Sequence, residues 1–223
     1  MQLPASFERF VVNEKDAVQK LAAIFAATPV ETWKAYLTFH YLDAYAGVLP
    51  KAYDDAAFAF ASKISGQEEQ RERWKRGIGA VNRTLGEAVG ELYVARYFSP
   101  ESKAEMLKLV ENLRAAYKAR IEALDWMGPE TKTQALAKLA AFRVKIGYPD
   151  TWRDYSDLEV VAGDALGNMK RAAAYEWRRD LARLDKPTDK DEWFMSPQTV
   201  NAYYNPIFNE IVFPAAILQA PFF

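Results

Sequence analysis

Apolar residues recur at helical spacing along most of the chain, from about residue 13 to residue 184. The segment Thr28–Glu31 has the features of a helix start: a Thr N-cap, Pro at the first helical position, and Glu to complete a capping box. The stripe that follows keeps the i, i+3, i+4, i+7 spacing of one helix face and comprises Trp33, Tyr36, Leu37, His40 and Tyr41. This pattern predicts a helix that Gly47 and Pro50 end.

The longest predicted helix runs from about Glu68 to Phe98. Its apolar residues keep helical spacing throughout: Trp74, Ile78, Val81, Leu85, Val89, Leu92 and Phe98. Gly86 and Gly90 lie on one face of this helix. Because each glycine costs a helix about 1 kcal/mol relative to alanine, we expect another helix to pack closely against this face as compensation.

Three more helices are predicted before residue 185. Two of them start at Ser99-Pro100-Glu101 and at Gly128-Pro129-Glu130, which place Pro at the first helical position. The third covers about Asp164 to Leu184, and its predicted inward residues are Met169, Ala173, Trp177 and Leu181. A break is predicted at Ile146–Pro149, and no strand is predicted anywhere before residue 185.

The pattern changes after Leu184. A polar, Pro-containing joint at Asp185–Asp191 precedes two predicted strands, Thr199–Tyr204 and Glu210–Phe213, which Asn205-Pro206 connects as a hairpin. Because isolated hairpins are marginally stable in water, we expect this tail to be poorly anchored, with its partner strands later in sequence. The chain then ends on Phe222 and Phe223, an apolar end that favours a truncated domain.

Composition excludes several kinds of chemistry. The 223 residues carry 29 basic and 30 acidic side chains, a net charge of −1, and so no global attraction to nucleic acid or to anionic membranes. The chain has no cysteine and a single histidine, which excludes disulfides, thiolate catalysis and any metal site with two histidines. His40 is interpreted as a packed, hydrogen-bonded helix residue.

No signal peptide is visible in residues 1–10, and no apolar run is long enough to span a membrane.

Several segments resemble the neprilysin family of zinc metallopeptidases, which includes endothelin-converting enzyme and bacterial endopeptidase O. Near the end of the chain the similar segments are Val200–Pro206, Asn209–Ala215 and Ile217–Gln219. Upstream segments are similar to the same family in the same order: Leu85–Val94, Asp125–Met127, Ile146–Asp150 and Glu192-Trp193. The resemblance covers most of the chain.

The resemblance implies a mainly α fold, in which a multi-helix lobe precedes a short β-hairpin segment that begins a thermolysin-like α+β catalytic lobe. Residues 1–185 would be the helical lobe, and residues 186–223 the linker and first strands of the catalytic lobe. The zinc motif of the family, H-E-x-x-H, lies beyond the position of Phe223. Zinc would therefore be a cofactor of the full-length enzyme, while this chain would hold no metal ligand or catalytic residue and be inactive alone.

The same resemblance assigns substrate-binding roles to four residues. Asn201 would bond the substrate backbone through its side-chain amide and Ala202 through its main chain, so that a peptide lies beside the strand. Ile217 and Phe222 would line an apolar pocket. The implied reaction is hydrolysis of small peptides on the amino side of apolar residues, with the remainder of the catalytic lobe as the other partner.

A second function remains open from the sequence. A non-catalytic helical binding module could keep the family scaffold without its metal site. An H-E-x-x-H motif encoded shortly after Phe223 would favour the peptidase, and a stop codon would favour the binding module.

Without the resemblance, Asn201 is typical of a strand-edge residue, and Ile217 and Phe222 are typical of a core. Family habit and the lack of cysteine favour a bacterial protein outside the cytoplasm, either periplasmic or secreted.

Overall fold

The computed structural model describes residues 11–222, so residues 1–10 and Phe223, which entered the sequence interpretation, lie outside the described part. Within residues 11–222 the chain forms eight α-helices, and the predicted mainly α fold with a short β segment is confirmed. The helices are α1 Lys15–Ala27, α2 Val30–Tyr45, α3 Lys51–Ser65, α4 Arg73–Thr84, α5 Gly86–Tyr97, α6 Pro100–Ala123, α7 Pro129–Ala140 and α8 Ala165–Leu181. None of these described helices has both the length and the apolar character needed to cross a bilayer.

The predicted helix starts are confirmed where a side chain or proline fixes them. Ser99 caps α6 by accepting a hydrogen bond from the Ser102 amide at 3.2 Å, and α7 begins at Pro129. The capping box predicted at Thr28 is wrong. The Thr28 hydroxyl donates instead to the Ile24 carbonyl at 2.6 Å, so it belongs to the end of α1. A Thr between two helices can serve either end, and local sequence does not decide which.

The single long helix predicted over residues 68–98 is also wrong, because the chain forms two helices that meet at Leu85. Leu85 has φ −128° and ψ 33°, outside the helical range. Just before it, the Thr84 hydroxyl donates to the Ala80 carbonyl at 3.0 Å, a local bond of the kind that bends helices. The low helix propensity of Gly86 adds to this weakness. The second helix, α5, therefore has its own direction.

Two compact units account for most contacts. The first comprises the chain up to Arg76 together with Leu158–Lys186, and the second comprises Gly77–Asp157 together with the chain from Pro187 onward. In the first unit the buried face of α8 differs from the predicted one. Ala172 and Tyr175 are buried, whereas the predicted Ala173 and Trp177 are exposed. The predicted lobe boundary at residue 185 stays a prediction.

The second unit contains a three-stranded sheet that the sequence indicated only in part. Strand β2, Tyr203–Asn205, and strand β3, Glu210–Pro214, form the predicted hairpin, with a shorter first strand. Strand β1, Arg143–Gly147, was not predicted, and it pairs in parallel with β3 to give the order β1-β3-β2. The expectation of a poorly anchored tail is wrong, because β3 is the central strand and its partner precedes it in the chain.

The main core of the second unit lies where β1 meets α5 and α6. Its buried members come from α6, β1, the 3₁₀ helix Ala215–Ile217 and the residues that directly follow α5 and that 3₁₀ helix: Phe98, Met106, Val110, Ile146, Ala215 and Leu218. Gly147 ends β1 with φ +78°, and a Cβ there would lie 2.4 Å from a ring carbon of Phe98. Only glycine fits both the left-handed backbone and the approach of this ring.

A buried ion pair joins the two parallel strands. Lys145 on β1 is 8% exposed and Glu210 on β3 is fully buried. The Lys145 ammonium donates a hydrogen bond to Glu210 Oε1 at 3.1 Å. It also lies 3.0 Å from Glu210 Oε2, which accepts no hydrogen bond of good geometry. It also donates to the Glu192 carbonyl at 2.8 Å. One cation therefore connects β1, β3 and the segment that precedes the hairpin.

Removing one charge of this pair should destabilise the chain strongly. We expect Lys145→Met to lower the free energy of unfolding by about 3–5 kcal/mol, because Glu210 would stay buried without a counter-charge. The double variant Lys145→Met/Glu210→Leu should recover most of this loss. Urea unfolding of the purified chain measures both. Lys51→Met, which breaks the exposed pair with Asp55, is the control and should have little effect; equal losses in Lys51→Met and Lys145→Met would contradict the expectation.

Candidate functional site

The glycine face of α5 holds a short turn of the chain that includes Ser196–Gln198. A Cβ on Gly90 would lie 2.6 Å from Pro197 Cδ, and one on Gly86 would lie 3.5 Å from Ser196 Cβ. Pro197 itself is fully buried. The predicted close approach to this face is confirmed, but its partner is a turn, where we had expected a helix.

Hydrogen bonds fix the position of this segment on both sides. The Gln198 side chain donates to Asn82 Oδ1 and to the Gly86 carbonyl, both at 3.0 Å. On the other side, the Pro197 carbonyl accepts from the amide of Ala216 at 2.9 Å. The segment is thus held between the α4–α5 junction and the 3₁₀ helix to which Ala216 belongs.

The same turn, Ser196–Thr199, leads to the predicted substrate-binding residues. The Thr199 amide donates to the Ser196 carbonyl at 2.9 Å, and the two hydroxyls are 3.2 Å apart. The Asn201 amide then donates to the Thr199 carbonyl at 3.0 Å. The place of Asn201 therefore follows from the contact between Pro197 and Gly90.

Asn201 and Ala202 lie directly before β2. Asn201 is exposed, and its Oδ1 accepts from the Ala202 amide at 2.8 Å. Among the described residues nothing accepts from the Asn201 Nδ2 group, so its two N–H donors are available to solvent or to a ligand. Ala202 is half-buried. This arrangement presents an amide donor at the start of the strand.

β2 is an edge strand among the residues that the structure describes. It pairs with β3 on one side, with Tyr203 opposite Val212 and Asn205 opposite Glu210. The backbone groups on its outer side are of the kind that bind an added extended peptide. The strand can therefore act as a template.

Two tyrosines and two asparagines hold β2 in place. The Tyr203 hydroxyl accepts from the Phe194 amide at 3.2 Å, and burial raises the pKa of this phenol above its ordinary value. Asn205 Oδ1 accepts from the backbone amides of the following turn, as predicted for Asn205-Pro206. The Tyr204 hydroxyl donates to Asn209, which has φ +48°, a left-handed conformation that Asn tolerates.

The two predicted pocket residues have different surroundings. Ile217 is half-buried and packs against the main core of the second unit. Phe222 is 67% exposed, and its amide donates to the Gln219 carbonyl at 2.8 Å. The bond between Pro197 and Ala216 places Ile217 beside the segment that leads to Asn201, whereas Phe222 lies at the surface. The substrate-binding roles of all four residues stay predictions.

Residues 11–222 do not form a metal site. No group of three or more His, Cys, Asp or Glu side chains within them is arranged to hold an ion. The single histidine, His40, is exposed on α2, with its ring centroid 4.2 Å from that of Tyr36 and 5.4 Å from that of Phe39. The interpretation of His40 as a packed residue is therefore wrong, although the aromatic contacts are present.

Sequence reasoning missed the residues that support the site. Pro197 and Gln198 carry no local signal of importance, because their partners lie far away in the chain: Gln198 bonds Gly86, 112 residues earlier. Lys145 could have been found from the alternation of charged and apolar residues in Arg143–Ile146, which is typical of a strand. Its carboxylate partner is 65 residues later.

A family profile and several curated proteins match the chain. The profile described as Peptidase family M13 matches residues 2–149. The endothelin-converting enzyme homolog of Locusta migratoria is 34% identical over 195 residues, which are 84% of this chain and 27% of that protein. The neutral endopeptidase of Lactobacillus helveticus is 31% identical over 223 residues, 99% of this chain and 34% of that protein. The chain thus spans about a quarter to a third of the length of these relatives.

Solved structures match to a similar extent. The Mycobacterium tuberculosis zinc metalloprotease Zmp1 in complex with an inhibitor superposes with a TM-score of 0.87 at 47% identity, over 96% of this chain and 32% of that one. PepO from Lactobacillus rhamnosis superposes with a TM-score of 0.75 at 30% identity, over 85% of this chain and 30% of that one.

The glycine face offers a matched pair of substitutions. We expect Gly90→Ala to lower the free energy of unfolding by about 1–3 kcal/mol, because the new methyl group overlaps Pro197. Gly77→Ala on α4 should instead raise it by up to about 1 kcal/mol, since nothing lies within 4 Å of the added Cβ. Thermal unfolding of both variants tests this, and the expectation fails if both changes have the same sign.

Proposed function

The chain belongs to peptidase family M13, and we propose that the full-length protein is a zinc metalloendopeptidase that cleaves small peptides on the amino side of apolar residues. This chain contributes the helices that restrict access and the strand that aligns the substrate. It contributes no metal ligand and no catalytic residue, so it is inactive alone. Following the sequence expectation, we place the protein outside the cytoplasm of a bacterium.

The observation that carries this proposal is the open edge of β2 with the free amide donors of Asn201. An extended peptide beside this edge would accept from Asn201 Nδ2 and pair with the main chain at Ala202. Binding of this kind orients the scissile bond before chemistry begins, which lowers the entropic part of the barrier. Ile217 and Phe222 would contact an apolar side chain next to that bond.

Zinc, when bound, would supply activation of the attacking water and polarisation of the amide carbonyl. The similar Zmp1 of Mycobacterium tuberculosis is a zinc metalloprotease. The described residues of this chain do not fit such an ion, because they form no cluster of ligands. We therefore assign to this chain the binding and orientation of the peptide. Reading the gene beyond the codon for Phe223 tests the assignment, since an H-E-x-x-H motif there supports it.

The purified 223-residue chain should neither hydrolyse peptides nor hold zinc stoichiometrically. The reason is the composition, with one His and no Cys, together with the absence of a ligand cluster within residues 11–222. Metal analysis after dialysis and a peptide-cleavage assay are the measurements. About one zinc per chain or measurable turnover would contradict the proposed division of roles.

Asn201→Ala in the full-length protein should impair catalysis and leave folding unchanged. Loss of a hydrogen bond to the peptide backbone in a partly dry cleft should cost about 1–3 kcal/mol of transition-state binding, or roughly 5- to 150-fold in kcat/KM. Melting temperature and zinc content should stay at the wild-type values, since Asn201 is exposed and is no ligand.

Asn112→Ala is the matched control, because Asn112 is an exposed residue on α6. It should change none of the three quantities. Wild-type kcat/KM in Asn201→Ala would remove Asn201 from the site, and a lower melting temperature with normal turnover would make it a structural residue.

A further inference from the structure

Two glycines in α4, Gly77 and Gly79, are not explained by packing among the described residues. A Cβ on Gly77 would meet nothing within 4 Å, and one on Gly79 would approach the flexible end of the Arg83 side chain at 3.7 Å. The two positions lie about 200° apart around the helix, so no single neighbour requires both to be small. Gly90, by contrast, makes room for Pro197. α4 therefore carries two residues that weaken a helix without the compensation that α5 has.

These glycines lie where the chain passes from one compact unit to the other. The first unit includes the chain up to Arg76 and the second begins at Gly77, so the boundary falls inside α4. The other two passages, after Asp157 and after Lys186, lie in segments without helix or strand. Among the elements that the structure describes, α4 is thus the one that both units share.

Each end of α4 is held within a different unit. Near its start, Arg76 Nη1 donates to both carboxylate oxygens of Asp54 on α3, at 2.7 and 2.8 Å, and the two side chains are only 25% and 18% exposed. Near its end, Asn82 Oδ1 accepts from the Gln198 side chain at 3.0 Å. The stretch Gly77–Gly79 lies between these two anchors.

We propose that α4 is a hinge, in which Gly77–Gly79 bends when the two units change their relative orientation. Bending breaks backbone hydrogen bonds of one helical turn, and this costs least where helix propensity is lowest. The anchors at Arg76 and Asn82 keep the flanking parts of α4 attached, so the change is confined to this turn. This behaviour belongs to the chain itself and does not require peptidase activity.

The first test measures the distance between the units in the purified chain. The sequence has no cysteine, so Lys63→Cys on α3 and Lys118→Cys on α6 place two spin labels at exposed positions and nowhere else. Pulsed electron paramagnetic resonance should give a broad distribution of distances between the labels. Adding Gly77→Ala/Gly79→Ala should make the distribution about twofold narrower, because both changes strengthen the helix at the hinge.

Gly128→Ala is the matched control. Nothing lies within 4 Å of a Cβ added to Gly128, which precedes α7 and is far from the boundary in the chain. This variant should keep the wild-type width. A narrow distribution in the labelled wild type, or the same width in the wild type and the double glycine variant, would overturn the proposal.

Hydrogen exchange assigns the bending to one turn. The amides of Ile78–Val81 should exchange roughly tenfold to thirtyfold more slowly in Gly77→Ala/Gly79→Ala than in the wild type, since local opening of this turn becomes less frequent. The amides of α6 should exchange at the same rate in both proteins. Equal slowing throughout α4 and α6 would show a global gain in stability, which contradicts a hinge at this place.

A second test uses the full-length protein and rests on the proposed function, in which the helices restrict access. If bending of α4 admits the peptide, Gly77→Ala/Gly79→Ala should lower kcat/KM severalfold while the melting temperature rises, a combination that loss of folded protein cannot produce. Wild-type kcat/KM in this variant, together with a narrowed distance distribution, would refute control of access by the hinge. Lack of turnover in the wild type would refute the peptidase, whereas the distance measurement alone decides whether α4 bends.

Discussion

The close contact between Gly90 and Pro197 is the constraint on which the candidate site depends. Any side chain larger than hydrogen at residue 90 would overlap the proline ring, so the segment Ser196–Gln198 can lie this close to α5 only against glycine. Asn201 follows by one turn, and the 3₁₀ helix that contains Ile217 is bound to the Pro197 carbonyl. The low helix propensity of the glycine is offset by this packing.

The buried pair of Lys145 and Glu210 holds the chain just before the same segment. Its ammonium bonds the Glu192 carbonyl as well as the carboxylate, so the chain is fixed before it reaches Pro197. Buried ion pairs add little net stability, because desolvation cancels much of the attraction. We therefore interpret this pair as one that specifies which strands and which loop come together.

The candidate site lies along one stretch of chain, residues 193–205, that has little regular structure of its own. The support comes from the end of α4, α5 and the sheet, which are regular elements, while the chemistry lies on the segment they hold. The exposed amide of Asn201 is then presented from a backbone that these contacts position. Such an arrangement gives binding groups a defined position without requiring the segment itself to be a helix or a strand.

The sequence by itself determined the helices with strong local signals, such as the Ser99 cap and Pro129, the Asn205-Pro206 turn, and the resemblance that led to the family. These features depend on residues within one or two turns of each other. Tertiary structure alone decided the pairing of β1 with β3 and the partner of the glycine face. Each of these joins segments tens of residues apart, and their energy comes from close packing and buried charge, which a local pattern does not encode.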